Sequence, residues 1–167
     1  MATVSRANRA AACGFTLVEL LVTISIAAVL LTLAVPSFSN LILNQQVRVS
    51  AGDLQTALFY ARSEAIKRAA NVRVVPTGDD WKNGWTVQLG DGTVLRSQPA
   101  LDSQLAAMAG ATVTYQSDGH IPPPVLATIV FSIAGNAQIT ARCIAIDLSG
   151  RPSLVVDTDG DPTNGCN

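Results

Sequence analysis

The chain has 167 residues, with eleven Lys/Arg against twelve Asp/Glu for a formal charge of −1 at pH 7. That balance supplies no bulk positive field for nucleic acid, and the length allows one domain of about a hundred residues beside a long helix. In chain order, the first fourteen residues are short and basic, with Arg6 and Arg9 and no acid. Phe15–Val35 then runs for twenty-one residues with a single charge, Glu19. At about 1.5 Å rise per residue, such a run crosses the hydrocarbon core of a bilayer as a helix. A secretory signal ends its shorter apolar core at a small-residue cleavage site. Here the small residue, Gly14, comes first, so cleavage after it keeps the apolar helix on the mature chain.

Gly14-Phe15-Thr16-Leu17-Val18-Glu19, with Pro36 closing the apolar run, resembles the class III signal of type IV prepilins and type II secretion pseudopilins. The resemblance implies that a membrane-embedded prepilin peptidase removes residues 1–14 and methylates the new N-terminal Phe15. It also implies that Glu19 meets the free amine of a neighbouring subunit as helices pack into a filament. A carboxylate near the end of a lipid-embedded helix costs roughly 2.5–3.5 kcal/mol to insert. Pairing it removes two uncompensated charges from an apolar setting at once. Thr23 and Ser25 can bond back to helix carbonyls and need no further role. Pro36 lacks an amide proton and is expected to kink or locally melt the helix.

Beyond Pro36, Val47, Ala51, Leu54, Leu58, Ala61 and Ala65 step by 4, 3, 4, 3, 4 and so share one helical face. This amphipathic half, residues 36–70, is expected to end near Ala70. Short β-rich runs follow over residues 71–167. They are Val72–Val75, Trp85–Leu89, Val94–Ser97, Thr112–Gln116, Ile129–Ile133, Cys143–Leu148 and Ser153–Val156. Ala100–Gly110 reads as a loop or one turn of helix, Pro122-Pro123-Pro124 as a stiff extended connector, and Ser149-Gly150-Arg151-Pro152 as a turn. A helix followed only by strands predicts an α+β domain with antiparallel sheet on the helix.

Within that order, Ala61-Arg62-Ser63-Glu64-Ala65-Ile66, Asp80-Trp81-Lys82-Asn83-Gly84-Trp85, Phe131-Ser132-Ile133-Ala134-Gly135, Gly150-Arg151 and Cys166 resemble the GspH/FimT group of minor pilins and pseudopilins. The resemblance implies two antiparallel sheets beside the helix and no catalytic centre. The leader takes Arg6, Arg9 and Cys13 with it, leaving nine bases against twelve acids, a charge of −3, and an even pair of cysteines. In a domain sent into an oxidising periplasm, Cys143 and Cys166 are expected to form a disulfide. Two cysteines and the single His120 make a poor metal site.

No nucleophile elbow, Walker loop or paired-His motif is present in the sequence, and no cofactor is expected. The two tryptophans are expected to bury ring area. His120 reads as a solvent-facing loop residue, and Asp53 and Glu64 as solvated helix charges. Asp157-Thr158-Asp159-Gly160-Asp161 resembles the start of a calcium loop. The EF-hand pattern, however, needs its Gly after the third ligand and a Glu further on, so a solvated acidic turn is preferred. Certain FimT-type pilins bind DNA through a basic Gly-Arg-x-Arg turn. Gly150-Arg151-Pro152-Ser153 has the first Arg and lacks the second, three Asp lie nearby, and one Arg contributes little to phosphate binding. Arg142 and Arg151 could share a face if their strands pair.

The resulting expectation is a non-catalytic minor pilin at or near a filament tip. The alternatives are a DNA-binding minor pilin or a minor pseudopilin of type II secretion, with a tethered periplasmic enzyme as the remotest. The expected partners are other pilins or pseudopilins, the prepilin peptidase and an inner-membrane assembly platform. The expected location is the inner membrane with a periplasmic domain, then an extracellular pilus or periplasmic pseudopilus.

Overall fold

The structure is a computed structural model that describes residues 14–107, 111–123, 128–136, 138–161 and 163–166, with backbone alone at 33, 35 and 36. Contacts divide the chain into two units, one ending at Phe38 and one covering Ser39–Asn167. Helix α1 is assigned over Leu17–Arg68. The assignment is continuous through Pro36, so the local melting expected there is not seen. In the first unit, an eighteen-residue window of α1 has mean hydropathy 2.5, long and apolar enough to cross a membrane, and none of that window is buried. Residues 1–13, Cys13 among them, lie outside the described residues.

The second unit sets two antiparallel four-stranded sheets against the soluble part of α1. The first comprises β1 (Val72–Pro76), β2 (Trp85–Leu89), β3 (Val94–Gln98) and β5 (Val113–Tyr115), in the order β3-β2-β1-β5. The second comprises β4 (Leu105–Ala107), β6 (Ile129–Ile133), β7 (Arg142–Ile146) and β8 (Pro152–Val156), in the order β4-β6-β7-β8. Strand β4 falls inside the stretch expected to be loop or helix. Leu105-Ala106-Ala107 has little intrinsic β preference and is a strand because it pairs with Phe131–Ile133 of β6. Pro152 opens β8 rather than closing the preceding turn, and β8 is an edge strand, where a missing N–H is tolerated. Of the triple-proline connector, Pro124 lies outside the described residues.

Period-two alternation aims one row of each strand at the helix. Val72 and Val74 of β1, Trp85 and Val87 of β2, and Val113 and Tyr115 of β5 are buried, as are Phe131, Ile144 and Ile146 in the second sheet. All six residues of the predicted helix face, Val47 through Ala65, are fully buried in the same cluster. Trp81 sits in a single 3₁₀ turn, Trp81–Asn83, where the Asp80 carboxylate accepts the Lys82 N–H at 2.9 Å. Its ring lies 6.3 Å from that of Trp85, tilted by 58°, and both are buried.

Candidate assembly surface and C-terminal site

At the start of α1, Gly14, Phe15 and Thr16 lie outside the helix. Thr16 is the cap: its hydroxyl accepts the Glu19 N–H at 3.2 Å and its carbonyl accepts the Leu20 N–H at 3.1 Å. Thr16-Leu17-Val18-Glu19 therefore has capping-box spacing, a signal that the sequence analysis passed over. Glu19 is exposed in the first turn, where a carboxylate also complements the positive end of the helix dipole. Thr23 donates to the Leu20 carbonyl at 2.8 Å and Ser25 to the Leu21 carbonyl at 2.7 Å, so both hydroxyls are satisfied within the helix.

Past Ser39 the helix carries a second seam. Ile42, Gln45, Val49, Gly52, Thr56, Phe59, Ser63 and Ile66 alternate steps of 3 and 4, and this line lies roughly opposite the buried one. Its large apolar members stay open, with Ile42 58%, Val49 48%, Phe59 44% and Ile66 50% exposed. Leu41, Ile42, Gln45 and Val49 also line an apolar groove of about 650 Å³, closed on one side by Asp102 and Leu105. Gln46 donates to Asp102 at 3.5 Å along that wall.

At the far end of the helix, two of the sequence motifs meet the turn at Gly119 in one joint. The Arg62 Nε donates to the Gly119 carbonyl at 3.1 Å. Gly119 has φ +81°, and a Cβ there would lie 2.7 Å from Ile66 Cδ1. Gly150 has φ +75°, and a Cβ there would run into the Gly119 carbonyl oxygen and lie 3.0 Å from the Tyr115 ring. The Gly-Arg turn is thus glycine because two chain reversals stack on each other. Burial pushes the Tyr115 hydroxyl far above its ordinary range. The Ser149 hydroxyl and the Arg151 N–H hold Asp147 below the usual carboxylate range.

Glu64 corrects an expectation. It is buried, not solvated, with Arg68 Nε at 2.6 Å and Lys67 Nζ at 3.5 Å. The Arg68 bond holds its carboxyl below the ordinary value of 4.5, outweighing burial. Asp53 and His120 are exposed, and the His120 N–H caps onto Asp118 at 3.0 Å.

Strands β7 and β8 do pair, but Arg142 lies opposite Val156 while Arg151 precedes Pro152, which lies opposite Ile146. Four residues of strand, about 13–14 Å, separate the two ends. The hairpin therefore places the two arginines at opposite ends, with Arg151 in the turn that Asp147 organises.

On the side of the second sheet away from the helix, a small cluster gathers Val130, Ala141 and Cys143 under Val155 and Cys166. Cys143 and Cys166 are joined by a disulfide with Cα atoms 5.9 Å apart and a sequence separation of 23. Loop entropy values such a crosslink at roughly 3 kcal/mol. It returns the C-terminal tail to the sheet. Within that tail, Asp159 accepts the Asp161 N–H at 2.9 Å and Asn164 Nδ2 at 2.8 Å, bonds that hold its carboxyl below the usual range. Asp161 accepts the Thr163 N–H and hydroxyl at 3.0 and 2.6 Å. Asp157 is buried. Among the described residues, no three His, Cys, Asp or Glu side chains group as a metal site.

A profile of the family described as Type II transport protein GspH matches residues 50–150, and one of the prokaryotic N-terminal methylation motif matches residues 9–35. The chain belongs to the GspH family. Two crystal structures of the type IV minor pilin FimU from Pseudomonas aeruginosa PAO1 share the fold of this GspH-family chain. One is 23% identical with a TM-score of 0.59, covering 74% of this chain and 93% of that one. The other is 24% identical with a TM-score of 0.56, covering 72% and 96%. At these identities the likeness establishes the pilin fold alone. No curated protein sequence matches significantly. The GspH chain is accordingly pilin-like, with an apolar N-terminal anchor and a separate C-terminal domain. The pilin and pseudopilin families are structural, and their methylation motif implies peptidase processing and contact with other pilins.

Proposed function

We propose that this chain is a non-catalytic minor subunit of a type IV pilus, incorporated at or near the tip and helping to start assembly. Prepilin peptidase cleaves after Gly14 and methylates Phe15. Residues 15–35 span the inner membrane, 36–70 form the soluble half of the helix, and 71–167 form the periplasmic β domain. Glu19 pairs with the amine of a neighbouring subunit. The observation that carries this reading is the second helix seam, an apolar line left open in a chain that also bears the methylation motif. Residues 20–47 contain no charge at all, longer than the roughly twenty residues a bilayer needs. Apolar surface beyond that span is suited to protein neighbours rather than lipid.

The test is processing followed by incorporation. Gly14→Val should leave the intact precursor by mass spectrometry, whereas the unmodified chain should begin at N-methylated Phe15. Glu19→Ala should be processed and inserted normally yet be depleted from sheared filaments. Normal incorporation of that variant removes the proposed pairing. The description of the matching family favours a second reading, a minor pseudopilin of type II secretion. Deletion of the gene separates the two: lost surface piliation supports the pilus subunit, and lost exoprotein secretion with intact pili supports the pseudopilin. DNA uptake is not favoured, because the hairpin keeps Arg142 and Arg151 at opposite ends.

A further inference from the structure

We propose that Asn164-Gly165, in the C-terminal tail, is a self-modification site at which the Asn side chain converts to aspartate and isoaspartate. The sequence holds two Asn-Gly pairs, Asn83-Gly84 and Asn164-Gly165. In such a pair the glycine nitrogen can attack the Asn side-chain carbonyl carbon, because no Cβ blocks the approach and the glycine backbone turns freely. The fold separates the two pairs.

At Asn83-Gly84 the nucleophile is pinned. The Gly84 N–H donates to the Trp81 carbonyl at 3.2 Å, and the Gly84 carbonyl accepts the Thr77 N–H at 2.9 Å. A Cβ at Gly84 would run into the Gln98 carbonyl oxygen and lie 2.7 Å from the Pro99 carbonyl carbon, so the backbone there is tightly enclosed. Asn83 itself donates its N–H to the Asp80 carbonyl at 3.0 Å. The Gly84 nitrogen therefore cannot swing toward Asn83 Cγ without breaking the 3₁₀ turn that seats the buried Trp81.

At Asn164-Gly165 those restraints are missing. Among the described residues, neither backbone group of Gly165 has a hydrogen bond, and nothing lies within 4 Å of a Cβ built there. Asn164 is exposed, and its Nδ2 donates to Asp159 at 2.8 Å. That bond holds the leaving nitrogen and acts as a brake. An exposed bond in an irregular tail opens readily, so the brake slows the reaction without preventing it.

The step balances with water as the sole co-reactant. The Gly165 nitrogen loses its proton and bonds Asn164 Cγ, the Cγ–Nδ2 bond breaks, and ammonia leaves with that proton. Water then opens the cyclic imide at either carbonyl. One opening restores the main chain with an aspartate side chain; the other routes the main chain through Cγ as isoaspartate. Position 164 thereby changes from a hydrogen-bond donor to a carboxylate facing Asp159, so like charges replace a bond. Cys166 stays fastened to Cys143, which confines the change to the tail.

The test keeps the full chain in detergent micelles, warm and mildly alkaline, in heavy-oxygen water, with peptide mass spectrometry over days. Asn164 should take up one solvent oxygen and yield isoaspartate at least about tenfold faster than Asn83, whose glycine must first release two backbone bonds. In denaturant with the disulfide reduced, the two pairs should convert at similar rates. Gly165→Ala should suppress the conversion, and Asp159→Ala should accelerate it. An Asn164 that keeps its amide as long as Asn83 does in the folded chain overturns the proposal. So does a preference for Asn164 that persists in denaturant, which would place the cause in the neighbouring sequence rather than the fold. If either variant fails to fold, the folded and denatured rates of the unmodified chain decide.

Discussion

The two faces of the soluble part of α1 have similar apolar periodicity and opposite environments. One line, Val47 to Ala65, is sealed under both sheets, while the other, Ile42 to Ile66, remains half open. The composition of the seams reflects this. The buried line contains only Val, Leu and Ala, filling a defined space against Trp85, Phe131 and Ile144. The open line alternates large apolar residues with Gln45, Gly52, Thr56 and Ser63, a surface that tolerates water yet admits a close neighbour. Periodicity alone identifies which residues share a face. It does not distinguish the face that folds the domain from the face that meets another chain.

The comparison can be broken most forcefully from the buried side. Leu54→Ala removes a fully buried side chain from the centre of the cluster and should cost about 2–5 kcal/mol. The measurement is denaturant unfolding of the full chain in micelles, read by the buried Trp81 and Trp85. A loss below that range would mean that the helix contributes little to the core.

Gly150→Ala comes next. The added Cβ meets the Gly119 carbonyl and forces a non-glycine residue to φ +75°, so a loss of about 1–3 kcal/mol is expected in the same unfolding assay. Because the Gly119 carbonyl also accepts the Arg62 bond, the substitution loosens the end of the helix where its two faces meet the sheet turns. Arg151→Ala, which changes the side chain of that turn and leaves the backbone alone, should have far less effect.

A smaller effect is expected in acid. The Glu64 carboxyl titrates below its ordinary 4.5 because Arg68 bonds it. Its folded pKa is lower than its unfolded one, so its contribution is complete above about pH 4.5 and declines as pH falls through the folded value. Glu64→Gln should therefore lower stability slightly near neutral pH and flatten the acid limb, so that variant and wild type converge as the carboxylate protonates. An acid limb identical to that of the wild type would show that the pair with Arg68 does not respond to protonation.

Most of the fold was legible because its signals are local. Seven strands follow from β-branched runs between turn residues, and the buried helix face from its spacing. Strand β4 was not legible, since three residues of Leu and Ala are made a strand by β6 alone. Burial of Glu64 was hidden for a related reason: its position beside the 61/65 face is readable, but the cover over it comes from tertiary packing. In the C-terminal tail the Asp spacing was legible, yet spacing cannot show that one carboxylate turns inward beneath the tail while Asp161 turns to Thr163.

The open seam gives the smallest expected stability change and the sharpest separation of roles. Val49→Ser and Phe59→Ser each remove apolar surface that water already reaches, and surface changes of this kind usually stay within about 0.5 kcal/mol. If the seam receives a neighbouring helix in the filament, the same substitutions remove packing that exists only in the assembly. Incorporation into sheared filaments should then fall while the unfolding curve, peptidase processing and membrane insertion stay as in the wild type. Gly52→Leu offers a steric version of the same experiment. Nothing lies within 4 Å of a Cβ at Gly52, so the domain should accept the larger side chain, whereas a helix packed closely over that position should not. A Gly52→Leu chain that assembles as well as the wild type would leave the seam without a filament partner, and the charge-free run from residue 20 to 47 would then need another explanation.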